Sequence, residues 1–197
     1  MILYLTEQYP PLAVALYGSY ADGTANAESD YDVLLITEDT ECHDTGVVAG
    51  TQLDAWVYPR SWAESLADGD TVIQLHDGVI LLDTDGLAER LIALARAHAA
   101  GKAHLSDEEK RDLQAWCEKM ARRARRDDAE GLYRWHWLLT DSLSVYCDVR
   151  DAYYFGPKKT LLRMEQDDPA GFARYHAALR SMEALDAWLA HVFLPLA

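Results

Sequence analysis

The chain is short of positive charge. Its 197 residues contain 18 Lys and Arg against 33 Asp and Glu, a formal net charge of -15 at pH 7. A net charge of this sign repels phosphate backbones, so duplex nucleic acid is a poor candidate partner. The same charge attracts a small cationic molecule or a basic protein surface, but acidity also serves solubility alone. Composition does not choose between these two roles.

Cysteines and long apolar runs are also scarce. Cys42, Cys117 and Cys147 are odd in number, far apart and without Cys-x-x-Cys spacing, which argues against a disulfide framework or a zinc knuckle. The longest apolar runs, such as 79–82 and 91–95, are too short to cross a bilayer. The first residues lack a basic leader, a long apolar segment and a cleavage site. We therefore expect no secretory signal, no membrane partner and a cytoplasmic protein.

No internal repeat is present, and the first half of the chain has the pattern of a mixed α/β layer. Four short apolar segments separated by turn residues predict strands: LAVALYG, YDVLLIT, QLDAWVY and GVILLD. Between the third and fourth segments, Ser61 and Glu64 fit a capping box that opens a short helix. The segment GLAERLIALARAHAA then has helical periodicity, which continues to Gly101.

The second half has the periodicity of helices. Ser106 and Glu109 form a second candidate capping box, opening an amphipathic helix over LSDEEKRDLQAWCEKMARRARRDD. An aromatic helix over AEGLYRWHWLLTDSLSVYCDVRDAYY follows and ends before Gly156-Pro157. Pro169 is expected to start a last helix, PAGFARYHAALRSMEALDAWLAHVF.

These patterns predict an α+β chain of two domains. Residues 1–102 should form a mixed β-sheet flanked by helices. Residues 103–197 should form a bundle of three to five helices that binds substrate or dimerises.

Two acids stand at alternate positions where an apolar strand begins. Asp30 directly precedes the segment YDVLLIT and Asp32 is its second residue, after Gly18-Ser19 and a ten-residue spacer. On a strand, side chains two residues apart point to the same side. Two carboxylates at the end of a sheet are hard oxygen ligands that suit Mg²⁺ holding substrate phosphates. A turn at Gly18 lets backbone amides approach phosphate oxygens, and Ser19 adds a hydroxyl donor.

A third acid, Asp54, interrupts the apolar alternation of QLDAWVY. It would lie beside the first pair if the two strands are neighbours. The alternative is a purely structural role, in which Asp30 and Asp32 are solvent-exposed polar residues at the start of a strand and Asp54 lies on an exposed sheet face. Gly-Ser or Asp-x-Asp alone is weak evidence, but their combination with a later acid favours the catalytic interpretation.

The combination resembles the signature of the nucleotidyltransferase superfamily that includes DNA polymerase beta. The matching residues are Tyr17-Gly18-Ser19, Asp30-Tyr31-Asp32 and Asp54. Ala21, Gly23 and Ser29 are similar to the small bacterial branch, which often reads GS-x-A-R-G followed by SD-x-D. One position departs from that pattern, because the usual Arg is Asp22 here. The departure bears on affinity and substrate class rather than on the metal-binding acids.

The resemblance implies a mechanism. Asp30 and Asp32 would hold two Mg²⁺ ions on the triphosphate of an NTP, with Gly18 and Ser19 orienting the β and γ phosphates. Asp54 would complete one metal site and help deprotonate an acceptor hydroxyl. The implied reaction transfers AMP from ATP to a small hydroxylated, aminoglycoside-like acceptor and releases pyrophosphate.

The helical half resembles the C-terminal domains of aminoglycoside and lincosamide nucleotidyltransferases and of HEPN proteins, mainly over DAYYFGPKKTL. That resemblance implies Lys158 and Lys159 as phosphate ligands, with a solvated basic turn as the alternative. Glu130 is an alternative base to Asp54, although an acid in the first turn of a helix also suits the helix dipole. Whether two chains join to complete a site stays open.

Two other functions stay open at this point. One is AMP transfer to a protein, as in antitoxins of the minimal nucleotidyltransferase type. The other is a nucleotide-binding module that has lost turnover. HEPN ribonucleases resemble one another in an Arg followed by a His after four to six residues, and no Arg of the helical half has that spacing. We therefore expect no ribonuclease activity.

Overall fold

The structure is a computed structural model that describes residues 1–196. The chain divides into two compact units between Gly101 and Lys102. We refer to them as the first unit and the helical unit.

The first unit combines a sheet with helices. Its elements in chain order are α1 (Ile2–Gln8), β1 (Ala13–Leu16), α2 (Gly18–Asp22), β2 (Tyr31–Thr37), β3 (Cys42–Asp44), β4 (Val47–Val48), β5 (Thr51–Pro59), α3 (Arg60–Ser65), a 3₁₀ segment (Gly69–Asp77), β6 (Val79–Asp83) and α4 (Leu87–Ala100). The four predicted strands correspond to β1, β2, β5 and β6. The predicted α+β class is confirmed.

The sheet is mixed, as predicted. Its strand order is β3-β5-β2-β1-β6, and β4 pairs with β5. Strand β2 runs parallel to β5, whereas β1 is antiparallel to β2 and β6, and β3 is antiparallel to β5. The start of β2 and the end of β1 therefore lie at the same end of the sheet, together with the start of β5.

Strand β2 is buried on both faces of the sheet, and its successive side chains pack in two different cores. Leu34 and Ile36 pack in a core with Leu91 of α4. Val33 and Leu35 point the other way and pack with Leu5 of α1. Burying a large apolar side chain is worth about 1.5–3 kcal/mol relative to leaving it exposed, so both layers stabilise the sheet.

Three features of the first unit differ from the sequence analysis. Helix α1 and the short hairpin strands β3 and β4 were not predicted. The capping box at Ser61 is wrong, because α3 begins at Arg60 and has Pro59 at its N-cap without a side-chain cap. Strand β5 runs into α3 without an intervening loop, so Ser61 lies in the first turn of the helix.

The helical unit contains five α-helices within the part of the chain that ends at Leu196. They are α5 (Asp107–Ala124), α6 (Ala129–Val149), α7 (Pro157–Asp167), α8 (Pro169–Ala178) and α9 (Leu185–Val192), with 3₁₀ segments at Met182–Ala184 and Leu194–Leu196. The capping box at Ser106 is confirmed: the Glu109 backbone N–H donates to Ser106 Oγ at 3.2 Å, and the Ser106 N–H donates to Glu109 Oε2 at 2.8 Å.

Other helix boundaries were predicted wrongly. Helix α6 ends at Val149 rather than continuing to residue 154, and α7 was not predicted. The expected last helix is two helices, α8 and α9, separated by a 3₁₀ segment.

The core of the helical unit centres on Trp188, which is fully buried. Its indole N–H donates to Ser142 Oγ at 2.8 Å, and the Ser142 hydroxyl donates to the Leu139 carbonyl at 3.0 Å. The Tyr175 ring meets the indole edge-on at 5.0 Å between centroids. In neither unit, over residues 1–196, is there a helix with the length and apolar character needed to span a membrane.

Candidate active site

Asp32 and Asp54 lie side by side at one end of the sheet. Asp32 is the second residue of β2, and its partner in the parallel ladder is Asp54 of β5. Strand β1 reaches the same end, where the Tyr17 backbone N–H donates to the Asp32 carbonyl at 3.0 Å. The strands are thus neighbours, which is the condition under which Asp54 was expected beside the first acids.

Gly18 lies directly against the Asp32 side chain. Its φ of +66° is in the left-handed region, which favours glycine. A Cβ atom at this position would overlap the Asp32 carboxylate. Ser19 follows in the short helix α2 and is buried. The absence of a side chain at Gly18 is therefore what allows the Asp32 carboxylate to approach the backbone at this turn.

Asp30 occupies a different environment from Asp32. It is exposed and precedes β2, which begins at Tyr31. The strand therefore contains only the second acid of the Asp-x-Asp pair. The prediction that both acids stand on the strand is wrong for Asp30, because the loop that follows Gly23 extends as far as residue 30.

The Asp54 carboxylate contacts a histidine that the sequence analysis did not single out. His43 Nε2 lies 2.5 Å from Asp54 Oδ1. The His43 ring stacks on Trp56, with centroids 3.8 Å apart and planes 9° from parallel. Because His43 and Trp56 are directly opposite in the antiparallel β3–β5 pair, the sheet itself holds the imidazole next to Asp54.

The phenol of Tyr17 lies close enough to Asp32 and Asp54 for their charges to affect its pKa. Burial raises the pKa of its phenol, and the negative charges of Asp54 and Asp32 raise it further. The phenol therefore stays protonated at physiological pH. Tyr17 is the hydrophobic residue before Gly18-Ser19, and it packs in the core beneath the site.

The first unit has very few cations with which to bind a phosphate. Residues 1–101 contain 17 Asp and Glu, three Arg and no Lys. Arg60 pairs with Glu38 and Asp85, and Arg90 and Arg96 donate to backbone carbonyls of the same unit. Each arginine thus already has partners within the protein. This asymmetry is visible in the sequence, although the net charge of the whole chain conceals it.

The carboxylates of Asp32 and Asp54 are of the chemical type that binds a divalent cation, but in the described part of the chain a third ligand is not grouped with them. Asp32 and Asp54 present hard oxygen donors from adjacent strands, as Mg²⁺ prefers. Within residues 1–196, however, no three His, Cys, Asp or Glu side chains are grouped so that they could hold a metal ion. The two neighbouring acids fit such an ion, and Asp30 is one residue from the strand that carries Asp32.

Lys158 and Lys159 lie at the start of α7 in the helical unit. Lys159 lines a cavity of about 240 Å³ together with Arg150 and Arg163. Its Nζ lies 5.5 Å from the centroid of the Phe155 ring. Lys158 is exposed and is not among the residues that line this cavity. The structure thus distinguishes the two lysines that the resemblance treated alike.

Glu130 and Asp22 have local partners. Arg134 donates to Glu130 Oε1 at 2.6 Å, and this bond with the charge of Arg126 lowers the pKa of Glu130, which makes it a weaker base. Asp22 Oδ1 accepts hydrogen bonds from the backbone N–H and the hydroxyl of Thr24. Asp22 therefore fixes the turn after α2.

Comparisons with known proteins agree with this geometry. Residues 2–95 match the family described as "Nucleotidyltransferase domain". The match lies within the first unit and supports placing this unit in the nucleotidyltransferase superfamily. It also supports nucleotide transfer from an NTP as the general activity.

The other comparisons add little. A nucleotidyltransferase-like protein from Exiguobacterium sibiricum 255-15 aligns over 99% of this chain and 70% of its own, with 16% identity and a TM-score of 0.39. A likeness at that TM-score does not by itself establish a common fold. A search of curated proteins found no match.

Proposed function

We propose that the protein transfers a nucleoside monophosphate, AMP from ATP, to a hydroxyl group of a cationic small acceptor and releases pyrophosphate. The observation that supports this most directly is the pairing of Asp32 with Asp54 at the sheet end where Gly18 turns with φ +66°. The family match over residues 2–95 supports nucleotide transfer. The proposal adds three things to that general activity: ATP as the nucleotide donor, Mg²⁺ as the metal, and a cationic small molecule as the acceptor.

Each residue of the site has a role in this proposal. Asp30, Asp32 and Asp54 would hold Mg²⁺. When bound, the metal would supply charge stabilisation for the triphosphate as pyrophosphate leaves. The Gly18 amide and Ser19 orient the outer phosphates. Asp54 accepts the proton of the acceptor hydroxyl, because it adjoins Asp32, whereas Arg134 and Arg126 lower the pKa of Glu130 and make it a weaker base.

The charge distribution supports a cationic acceptor. With 17 acids and three already paired arginines, residues 1–101 attract cations and repel an unaccompanied triphosphate. The charge of the nucleotide must therefore be balanced by cations from outside this unit. Bound metal ions would supply them.

The experiment measures pyrophosphate release and nucleotide addition to an acceptor. The full chain is incubated with MgCl₂, each of the four NTPs and a panel of aminoglycosides and lincosamides, and products are identified by mass spectrometry. Asp32→Asn and Asp54→Asn should each reduce transfer by about 10²- to 10³-fold, the scale of removing one group that stabilises transition-state charge. Asp39→Asn is the matched control, because Asp39 is exposed in the loop after β2. Transfer that survives both active-site substitutions would refute the proposed site.

A nucleotide-binding module without turnover is the second candidate. It is favoured by Asp22, which stands where the small bacterial branch that the sequence resembles often has Arg, and which accepts hydrogen bonds from Thr24 in the turn. Calorimetry separates the two functions: ATP binding without pyrophosphate release across the whole acceptor panel favours the module.

A further inference from the structure

Strand β6 forms one edge of the sheet, and its apolar side chains are open to solvent. It is the last strand in the sheet order and pairs with β1. Three consecutive large apolar residues of this strand, Val79, Ile80 and Leu81, are 43%, 43% and 38% exposed. A run of exposed apolar residues on a terminal strand is a template for association with another chain.

The opposite edge of the sheet has a different character. The terminal strand there is β3, which has three residues and the sequence Cys-His-Asp. Short edge strands with polar or charged side chains are a common protection against unwanted pairing. Strand β6 has five residues, VILLD, and its one charged residue is the last. Although its register with β1 shifts between Val14 and Ala15, its first four residues are all apolar. The edge at β6 is therefore the less protected of the two.

Helix α4 is fixed beside this edge by hydrogen bonds at two places. The Asp83 carboxylate, at the end of β6, accepts hydrogen bonds from the backbone N–H groups of Leu87 and Glu89, each at 2.9 Å. Later in the helix, Arg96 Nε donates to the His76 carbonyl at 3.0 Å, shortly before β6 begins. The strand and the helix therefore present one surface that is formed before any partner binds.

A groove with a volume of about 450 Å³ lies between α4 and the start of β6. Gly78 and Ile80 line its strand side. The helix side presents an acid, two apolar residues and a base in the order Glu89, Ile92, Ala93 and Arg96. The two charged residues are seven positions apart, so they lie about two helical turns from one another on the same face. The midpoint of the charged pair is also the midpoint of the apolar pair.

This order of residues is complementary to itself when it is reversed. In a second copy whose α4 runs antiparallel to the first, Glu89 of each copy faces Arg96 of the other. Ile92 and Ala93 then meet at the centre. A two-fold axis perpendicular to the sheet produces this arrangement, and it also sets the two β6 edges side by side and antiparallel. A self-complementary patch is what a two-fold symmetric dimer requires, so the charge order favours a second copy of this chain as the partner.

We propose that the edge of β6 and the adjoining face of α4 form a homodimer interface about such a two-fold axis. Contact between the exposed apolar side chains of the two β6 strands supplies the main stabilisation, because each copy has a net charge of -15 and the copies repel one another at long range. The two symmetry-related pairs of Glu89 with Arg96 fix the register of the helices. The proposal is independent of the proposed function, because it uses no residue of the candidate active site.

The test measures the oligomeric state of the full chain by sedimentation equilibrium. Glu89→Arg and Arg96→Glu each place like charges opposite one another, so each should raise the dimer dissociation constant at least about tenfold. Mixed in equal amounts, the two variants should recover the affinity of the wild type, because every arginine of one variant then faces a glutamate of the other. Leu81→Lys, which puts a charge on the strand edge, should also weaken the dimer at least about tenfold.

Glu7→Arg is the matched control, because Glu7 is exposed on α1 and its substitution changes the net charge by the same amount as Glu89→Arg. Both substitutions reduce the general repulsion between copies, so only a specific contact explains a weaker dimer in Glu89→Arg. Circular dichroism checks that each variant is folded. If Arg96→Glu does not fold, Glu89→Arg and Leu81→Lys decide the outcome.

Three results would overturn the proposed interface. The first is a wild-type chain that stays monomeric up to about 100 µM. The second is a dimer that Glu89→Arg or Leu81→Lys leaves intact, which would place the contact on another surface. The third is a mixture of folded Glu89→Arg and Arg96→Glu that does not dimerise, which would exclude the antiparallel arrangement of the two α4 helices.

Discussion

Asp32 of β2 and Asp54 of β5 are direct partners in a parallel strand pair. Two carboxylates in such positions repel one another, and this repulsion is relieved when a cation binds between or beside them. Asp54 also has a partner within the protein, because the imidazole Nε2 of His43 lies 2.5 Å from its Oδ1. The site therefore holds its acids in a defined place before any substrate arrives.

Gly18→Ala should impair both stability and transfer. A left-handed φ costs a residue with a Cβ about 1–2 kcal/mol, and the added Cβ would displace the Asp32 carboxylate. Gly23→Ala is the control, because Gly23 has φ +78° with nothing within 4 Å of the added Cβ. Urea unfolding should show a loss in both variants, whereas transfer should fall only in Gly18→Ala. Equal transfer rates in the two variants would contradict the close packing of Gly18 on Asp32.

Lys159→Gln should weaken NTP binding more than Lys158→Gln. Lys159 lines the cavity with Arg150 and Arg163, whereas Lys158 is exposed at the start of α7. Loss of one charge-assisted contact to a phosphate should reduce affinity by about five- to tenfold, and loss of the exposed charge by less than twofold. Equilibrium dialysis with labelled ATP provides the measurement. Similar effects of both substitutions would indicate general attraction rather than a defined contact.

Ser106→Ala should cost about 1 kcal/mol of stability. Ser106 is the N-cap of α5 and shares both bonds of a capping box with Glu109. Ser61→Ala is the natural comparison, because Ser61 also precedes a Glu by three residues but lies inside the first turn of α3. Its cost should be within about 0.5 kcal/mol. Denaturant midpoints that fall equally in the two variants would contradict the assigned caps.

Asp168→Asn should destabilise the protein by about 1–3 kcal/mol at neutral pH. Asp168 accepts hydrogen bonds from the Tyr146 hydroxyl at 2.8 Å and the Gly171 N–H at 2.9 Å, and its Oδ2 lies 2.6 Å from His191 Nε2. Burial alone would raise the pKa of Asp168, but these bonds outweigh it and hold the pKa below its usual range.

The sign of the pH dependence follows from that lowered pKa. The stabilisation is fully present above the unfolded pKa of about 3.9 and is lost as pH falls through the lower folded value. The difference in unfolding free energy between the wild type and Asp168→Asn should therefore shrink as pH falls through this range. A difference that stays constant down to the acid limit of folding would argue against an ionised Asp168.

Strands and caps with strong local signals were predictable. YDVLLIT is a short apolar run bounded by turn residues, and QLDAWVY alternates with period two. The offset of Ser106 and Glu109 correctly predicted a capping box, although the same offset at Ser61 and Glu64 did not give one. Weaker local signals failed. The hairpin strands β3 and β4 are short and partly exposed, so their residues carry little periodicity. Pro157 was interpreted as the end of a helix, although it occupies the first turn of α7.

The division between α8 and α9 shows why other boundaries could not be predicted. Neither Gly nor Pro stands at residues 179–184, so the helical period continues through the break. The break instead accompanies the packing of Tyr175 and Trp188, one on each helix, ring against ring at 5.0 Å. This contact is between residues 13 positions apart in the chain, and the local hydrophobic periodicity of either helix carries no information about it.

The sequence by itself determined which residue types stand in the candidate site. Gly18-Ser19, the two early acids and Asp54 follow from their order in the chain, and the short apolar segments around them placed Asp32 and Asp54 on strands. Such a segment is a local property that each strand carries on its own. Only the tertiary structure decided that β2 and β5 are parallel neighbours, that Asp32 faces Asp54, and that β3 brings His43 beside Asp54 and Trp56. Strand order and register depend on turns and on packing across the whole sheet, and no single segment encodes them.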